Sequence, residues 1–169
     1  MKEIFQTRVT SPCKEVVSNY PHGVAVIILN TDNEVLLGVE NHADEHRLEV
    51  PIWNILTETW KPDQDVGIKK PLIRALREEL SAPMEWFSYI PGTYRETSGA
   101  YVITMGYDYK YRCVCLRFVG DPGIPAETLF HAIDGEILTH HWFSLSNLPG
   151  TLEVGAKLLI NEYRELLRI

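Results

Sequence analysis

Residues 22–40 constrain the fold of this 169-residue chain more than any other segment. They read HGVAVIILNTDNEVLLGVE, in which two apolar runs flank the polar tetrapeptide at 30–33. Apolar runs on both sides of a short group of turn-forming residues are typical of two strands joined by a tight loop. This segment therefore predicts a β-hairpin.

A helix is the second strong prediction. In residues 68–80 the apolar side chains recur at helical spacing. Pro71 is tolerated only near the start of a helix, and the sequence Ser-Ala-Pro at 81–83 ends it. Strands that bracket helices indicate a mixed sheet with helices packed on its faces. The other predicted elements are strands at 53–56, 86–90, 100–107, 111–119 and 137–144, loops at 41–49 and 120–135, an irregular connector after 56, and an amphipathic helix from 151 to near 167.

Composition narrows the class of protein. The length fits one compact domain, and no internal repeat or low-complexity linker divides it. A net charge of −7 argues against a protein that holds bare nucleic acid. No apolar run is long enough for a membrane span, and the N-terminus is too polar for a secretory signal. We therefore expect a cytoplasmic protein whose cysteines, Cys13, Cys113 and Cys115, are reduced and buried.

The stretch RALREELSA at 74–82 carries charged groups late in the predicted helix. Residues three and four apart on a helix are neighbours, so Arg74 can pair with Glu78. One interpretation is an ordinary solvated helix face. The other is a metal-binding helix, because adjacent Glu78 and Glu79 offer the carboxylate oxygens that Mg²⁺ prefers.

This stretch resembles the signature of the Nudix hydrolases, which is G, five residues, E, seven residues, then REUxEExGU with U an aliphatic residue. Arg74, Leu76, Glu78 and Glu79 match the Arg, the aliphatic residue and the paired glutamates. The hairpin is similar to the strands before that signature, WNILTETWKPDQD to its approach, and GEILTHHWFSLSNLPG to a later strand and turn. The resemblance extends over about residues 22–165.

The chain also departs from this pattern. Ala75 stands where the family has a glutamate directly after the arginine. The two family glycines fall near Thr57 and Glu58, and the upstream glutamate falls on Gln64 or Asp65, at a spacing about two residues too long. The signature is therefore degenerate.

The resemblance implies a single Nudix-type α/β/α sandwich over residues 1–169. It implies an Mg²⁺- or Mn²⁺-dependent hydrolase that splits a pyrophosphate bond in a nucleoside diphosphate derivative. Glu78 and Glu79 would hold the metal and Arg74 would orient them. An acidic residue from outside the helix would complete the metal shell. Homodimerisation is expected on the family likeness alone. The candidates for this further metal ligand are Glu58, Asp65, Glu127, Asp134 and Glu136. Of these we predict Glu127.

Further residues are candidates for substrate contacts. Glu58 precedes the helix, Arg47 lies in a polar loop and could meet phosphate, and Tyr109 belongs to the run YDYKYR and could stack on a base. His140 and His141 are adjacent in a predicted strand, so one should face the core and the other solvent. The alternative function is a catalytically impaired Nudix-fold module that binds a nucleotide-like ligand or a protein partner. Ala75 favours this alternative, and the retained glutamate pair opposes it.

Overall fold

A computed structural model of the chain describes residues 22–40, 50–102, 107–133 and 137–169, with side chains throughout except at 97–110. Strands β1 (Gly23–Leu29) and β2 (Glu34–Glu40) form the predicted hairpin. In its turn, the side-chain oxygen of Asn30 accepts hydrogen bonds from the backbone N–H groups of Asp32 and Glu34, each at 2.9 Å. Backbone N–H groups in and next to the turn thus find hydrogen-bond acceptors within the turn, while the flanking apolar runs are buried.

The predicted first helix is α1 (Lys69–Leu80). Pro71 lies in its first turn, and Ser81 ends it in the left-handed conformation with φ 51°. A short 3₁₀ turn occupies 84–86. The remaining elements are β3 (Trp53–Asn54), β4 (Leu56–Thr59), β5 (Phe87–Tyr89), β6 (Arg95–Val102), β7 (Tyr107–Phe118), α2 (Ala126–Leu129), β8 (Ile137–Ser144) and α3 (Val154–Leu167).

The strands build one mixed sheet around β1. Strand β1 runs parallel to β7, with Gly23 opposite Tyr111, and antiparallel to β4. Strand β2 pairs with β3 and β8, while β5 and β6 both pair with β7. Because β2 and β4 both run antiparallel to β1, the ends of both strands lie near the start of β1.

Apolar side chains fill both faces of this sheet, as alternation along a strand requires. Helices α1 and α2 cover one face and α3 covers the other, which confirms the predicted mixed sheet with helices on its faces. The first core includes Val24, Val26, Val114, Leu72, Leu76, Leu80 and Ala126, and the second includes Ala25, Ile27, Cys113, Cys115, Leu159, Ile160 and Tyr163. Both of these cysteines are buried, as expected, and Cys13 lies outside the described residues. None of the helices in the described ranges combines the length and apolarity that crossing a membrane needs.

Several predicted elements differ from the structure in their bounds or type. The strand expected at 53–56 is two strands, because the chain leaves β2 after Asn54 and pairs with β1 from Leu56 onward. The end of β4 was predicted as irregular connector. Strand β6 begins five residues early because its first residues pair with β7, and the loop at 120–135 contains α2. Helix α3 starts at Val154 because the Glu153 carboxylate caps it, accepting a 2.8 Å hydrogen bond from a first-turn N–H.

Gly23 lies where β1 passes close to β4 and β7. A Cβ there would lie 2.6 Å from the carbonyl oxygen of Glu58 and 2.8 Å from Cε1 of Tyr111. Since backbone must move to relieve the first contact, we expect Gly23→Ala to lower the free energy of unfolding by about 1–3 kcal/mol. Thermal melting measures this against Gly67→Ala, whose Cβ would meet nothing within 4 Å. Equal melting temperatures for the two variants would contradict the expectation.

Candidate functional site

Arg74 joins α1 to the segment that precedes it. Its Nε donates to Oε1 of Glu58 at 2.8 Å. Its Nη1 and Nη2 donate to the two carboxylate oxygens of Asp65 at 3.1 and 2.9 Å, and Nη2 also donates to the carbonyl oxygen of Thr59 at 2.8 Å. The arginine side chain is 10% exposed and that of Asp65 is 0% exposed. This two-pronged contact fixes α1 against β4 and the connector.

The network has a clear electrostatic consequence. The hydrogen bonds from Arg74 hold the pKa of Asp65 below its ordinary value, and an N–H from Lys61 at 2.7 Å adds to this against the opposing effect of burial. In turn, the hydrogen bonds to Asp65 and Glu58 raise the pKa of Arg74. Both partners are therefore charged at neutral pH, and the ion pair is enclosed by protein.

Two expectations about Arg74 are resolved here. Of the two residues aligned with the upstream acidic position, Asp65 binds the arginine, whereas Gln64 is exposed. The expected ion pair between Arg74 and Glu78 is wrong. Glu78 pairs at 3.0 Å with Arg77 on the helix surface, because the guanidinium of Arg74 is directed to the carboxylates of β4 and the connector.

Ala75 stands where the family signature has a glutamate. It is 0% exposed and belongs to the core between α1 and the sheet. Glu79, one helical turn further on, is half-buried and lines a small pocket on the sheet. This side of α1 therefore passes from the apolar core at Ala75 to the rim of a pocket at Glu79.

That pocket has a mixed polar and apolar lining. Its other polar side chains are Asn54, whose amide donates to Oε1 of Glu40, and His140 on β8. His140 is 2% exposed, and burial lowers its pKa to about 4, against a smaller opposing effect from the backbone of Phe130. The imidazole is thus neutral at physiological pH. The apolar lining residues are Ile28, Leu36, Ile55, Leu56 and Ile137, with Gly38 beside them.

The other predicted site residues lie elsewhere or outside the described part. Glu58 is bound to Arg74. Glu127 lies 3.4 Å from Nδ1 of His141, and both side chains are half-exposed. His140 and His141 thus differ in exposure as predicted. Arg47, Asp134 and Glu136 lie outside the described residues, and only the backbone of Tyr109 is described.

Two features near the Arg74 network and the pocket were not predicted from the sequence. The guanidinium of Arg112 lies 4.6 Å from the ring centroid of Trp60 and 3.4 Å from Glu96. It shares a sheet face with Glu58, since both pair with Val24. The other missed feature is the position of His140 opposite the helix. Strand alternation placed one histidine inward, but only the pairing of β8 with β2 brings it beside Glu79.

Comparison with known proteins gives a consistent answer for the fold. No protein-family model matches the sequence, and no curated protein sequence is significantly similar. A C. elegans Ap4A hydrolase, solved as a binary complex, is 13% identical with a TM-score of 0.63 over 88% of this chain and 98% of that chain.

Two further solved structures agree. The NUDIX domain of Shewanella oneidensis NrtR, complexed with ADP ribose, is 13% identical with a TM-score of 0.58 over 99% of both chains. The E. coli dihydroneopterin triphosphate pyrophosphohydrolase is 15% identical with a TM-score of 0.57 over 83% of this chain and 92% of that chain. At such identities the likeness concerns architecture, and it extends over nearly the whole length of each neighbour. The chain therefore has the fold of the Nudix hydrolases.

Proposed function

We propose that this chain is a divalent-metal-dependent hydrolase that splits a pyrophosphate bond in a nucleoside diphosphate derivative. The observation that carries the proposal is the position of Glu79. Its helix is held by the Arg74 network, and the side chain borders a pocket with polar groups from two other strands. A carboxylate at the rim of a partly apolar pocket is a common setting for catalysis.

The donor set fits a magnesium ion that is shared with substrate. Within the described ranges, no group of three acidic, histidine or cysteine side chains is placed to hold a metal alone. Mg²⁺ in phosphoryl-transfer sites is commonly bound through one or two carboxylates plus substrate phosphates and waters. Glu79 would supply one carboxylate from the pocket, and Glu78, which pairs with Arg77 on the helix surface, is proposed as the second. Bound there, Mg²⁺ or Mn²⁺ would neutralise charge on the diphosphate and lower the pKa of a water.

The protein's own contribution is mainly positioning. Glu58 and Asp65 neutralise Arg74, so its charge is already satisfied inside the protein. Arg74 would therefore act by fixing the start of α1 and through it the direction of Glu79. This positioning role differs from direct hydrogen bonding of Arg74 to the metal-binding carboxylates.

Several finer assignments stay predictions. Arg47 and Tyr109 are proposed to contact substrate, and Glu127 to add a metal ligand. Glu58 has one oxygen engaged by Arg74, which supports a structural role beside the proposed substrate contact. A cytoplasmic location and a homodimer also stay predictions, from composition and from the family resemblance respectively.

A binding module is the second candidate function. Ala75 supports it, because the side chain at this position is fully buried among apolar residues and offers no oxygen. The NrtR domain with ADP ribose is a fold neighbour solved with a nucleotide derivative bound. Under this alternative the same pocket would bind such a ligand without cleaving it.

A substrate screen separates the two functions. Wild-type protein is incubated with dinucleoside polyphosphates, nucleoside diphosphate sugars and nucleoside triphosphates, with Mg²⁺, with Mn²⁺ or with EDTA. The products are separated by chromatography, and binding of each compound is measured in parallel by calorimetry. Metal-dependent release of a mononucleotide supports the hydrolase. Binding of a nucleotide derivative without turnover in any metal condition supports the module.

A further inference from the structure

The imidazole of His140 is buried, but its ring nitrogens lack hydrogen bonds to the described residues. The residue is 2% exposed, yet neither ring nitrogen has a hydrogen-bond partner among the residues that the structure describes. The backbone of Phe130 approaches the ring, but not in hydrogen-bond geometry. Leaving a buried polar group unpaired is unfavourable, because the group loses its hydrogen bonds to water and gains none in return. Such a group in a pocket indicates a partner other than the described part of the polypeptide.

Gly38 shows in which direction that partner lies. A Cβ added at Gly38 would lie 3.3 Å from Cδ2 and 3.4 Å from Nε2 of His140, and 2.8 Å from Cγ2 of Ile137. The Cδ2–Nε2 edge of the imidazole therefore faces the glycine, and Gly38 itself lines the pocket that Glu79 borders. A larger residue at position 38 would fill the space beside Nε2. Because position 38 is a glycine, no side-chain atom stands against this nitrogen on the side where Gly38 lines the pocket.

His141 is unsuited to the same role although it is the next residue. Its Nδ1 pairs with Glu127, and its ring packs edge-on against Trp53 and Phe143, on the opposite face of the sheet. The lining of the pocket comes instead from strands β1 to β4, from β8 and from α1. Among the histidines that the structure describes, His140 alone borders the pocket with Glu79.

We propose that Nε2 of His140 is a ligand of the divalent cation that Glu79 binds, so that this site prefers Mn²⁺, Co²⁺ or Zn²⁺ over Mg²⁺. The inference rests on the proposed function and deepens it. Imidazole nitrogen suits first-row transition cations, whereas Mg²⁺ takes oxygen ligands. Glu79 would give an oxygen and His140 a nitrogen. Waters and phosphate oxygens would complete the coordination shell, in place of the carboxylate that Ala75 does not provide.

The direct test uses the full-length protein and manganese alone. Electron spin echo envelope modulation of Mn²⁺-loaded wild type should show coupling to a coordinated imidazole ¹⁴N. The coupling should disappear in His140→Phe, which keeps an aromatic ring but has no ring nitrogen, and persist in the matched variant His141→Phe. His140→Gln serves as a second variant should His140→Phe fail to fold. Circular dichroism confirms the fold of each protein.

Titration calorimetry gives the affinities. Wild type should bind Mn²⁺ at least about tenfold more tightly than Mg²⁺, and His140→Phe should lose about tenfold in Mn²⁺ affinity with little change for Mg²⁺. Glu79→Gln should lose affinity for both cations. Bound Mn²⁺ without ¹⁴N coupling, or equal Mn²⁺ affinity in His140→Phe and wild type, overturns the assignment. The proposed hydrolase is judged separately by turnover in the substrate screen, so either can fail alone.

Discussion

Glu79→Gln is expected to lower kcat/KM for the best nucleotide substrate by about 10²–10³-fold, as removal of one preorganised electrostatic group does elsewhere. Glutamine keeps the size of the side chain and its amide oxygen, but removes the negative charge that would hold the cation. The pocket lining should therefore be preserved while metal affinity falls. Initial rates over a range of Mg²⁺ and Mn²⁺ concentrations measure both effects.

The matched control is Glu162→Gln. Glu162 lies on α3, which covers the opposite face of the sheet, and its half-exposed carboxylate pairs with Arg95 at 3.1 Å. A surface ion pair of this kind adds about 0–1 kcal/mol to the free energy of unfolding. Its loss should therefore leave the protein folded and its activity at the wild-type level. Glu79→Gln with unchanged kcat/KM at every metal concentration would remove Glu79 from the proposed chemistry.

Arg74→Met should have the largest effect on stability. The substitution leaves the carboxylate of Asp65, which is 0% exposed, and that of Glu58, which is 11% exposed, without their cation. Breaking a buried ion pair from one side costs about 3–5 kcal/mol. For a domain of this size that corresponds to a fall in melting temperature of about 6 °C or more. Thermal melting at neutral pH checks this value.

A double-mutant cycle separates the ion pair from general damage to the helix. Asp65→Asn removes the charge that Arg74→Met leaves unpaired, so the double variant should be more stable than the sum of the two single effects predicts. Arg77→Met is the surface control, because Arg77 is 66% exposed and pairs only with the neighbouring Glu78 among its described ion pairs. Additive effects of the Arg74 and Asp65 substitutions would contradict a specific coupling.

The same network predicts a pH dependence. Because the folded pKa of Asp65 lies below its ordinary value of 3.8, the carboxylate adds stability that is fully present above that pH. This stability is lost as the pH falls through the lowered folded pKa and Asp65 takes up a proton. The difference in free energy of unfolding between wild type and Arg74→Met should therefore shrink below about pH 4. Urea unfolding from pH 7 down to pH 3 measures it, and a constant difference would be evidence against the Asp65 contribution.

Regular elements were predictable where one local pattern dominates. Residues 22–40 give a hairpin because the apolar runs and the turn act over adjacent residues. Helix α1 has nearly its predicted bounds because Pro71 and Ser81 mark its ends through backbone geometry. The break between β3 and β4 was missed because it depends on which strand the chain pairs with, and no local pattern records that change.

The partners of Arg74 show the same limit at the site. Helical spacing made Glu78 the natural choice, since both residues lie on one helix. The structure gives Arg74 two partners before the helix, nine and sixteen residues away. Their carboxylates are enclosed with it, so the interaction is screened less by solvent than a surface pair would be. The resemblance left Gln64 and Asp65 as candidates for the upstream position, and in the structure Asp65 is the buried one of the two and binds Arg74.

The amino-acid sequence by itself determined the hairpin, the first helix and the adjacent glutamates at its end, because each depends on neighbours within a few residues along the chain. Tertiary structure alone decided that Arg74 binds Glu58 and Asp65, that Ala75 is sealed in the core, and that His140 faces the pocket of Glu79. The physical reason is that contacts between distant segments follow from strand pairing and from the burial of apolar faces, which the folded chain satisfies as a whole.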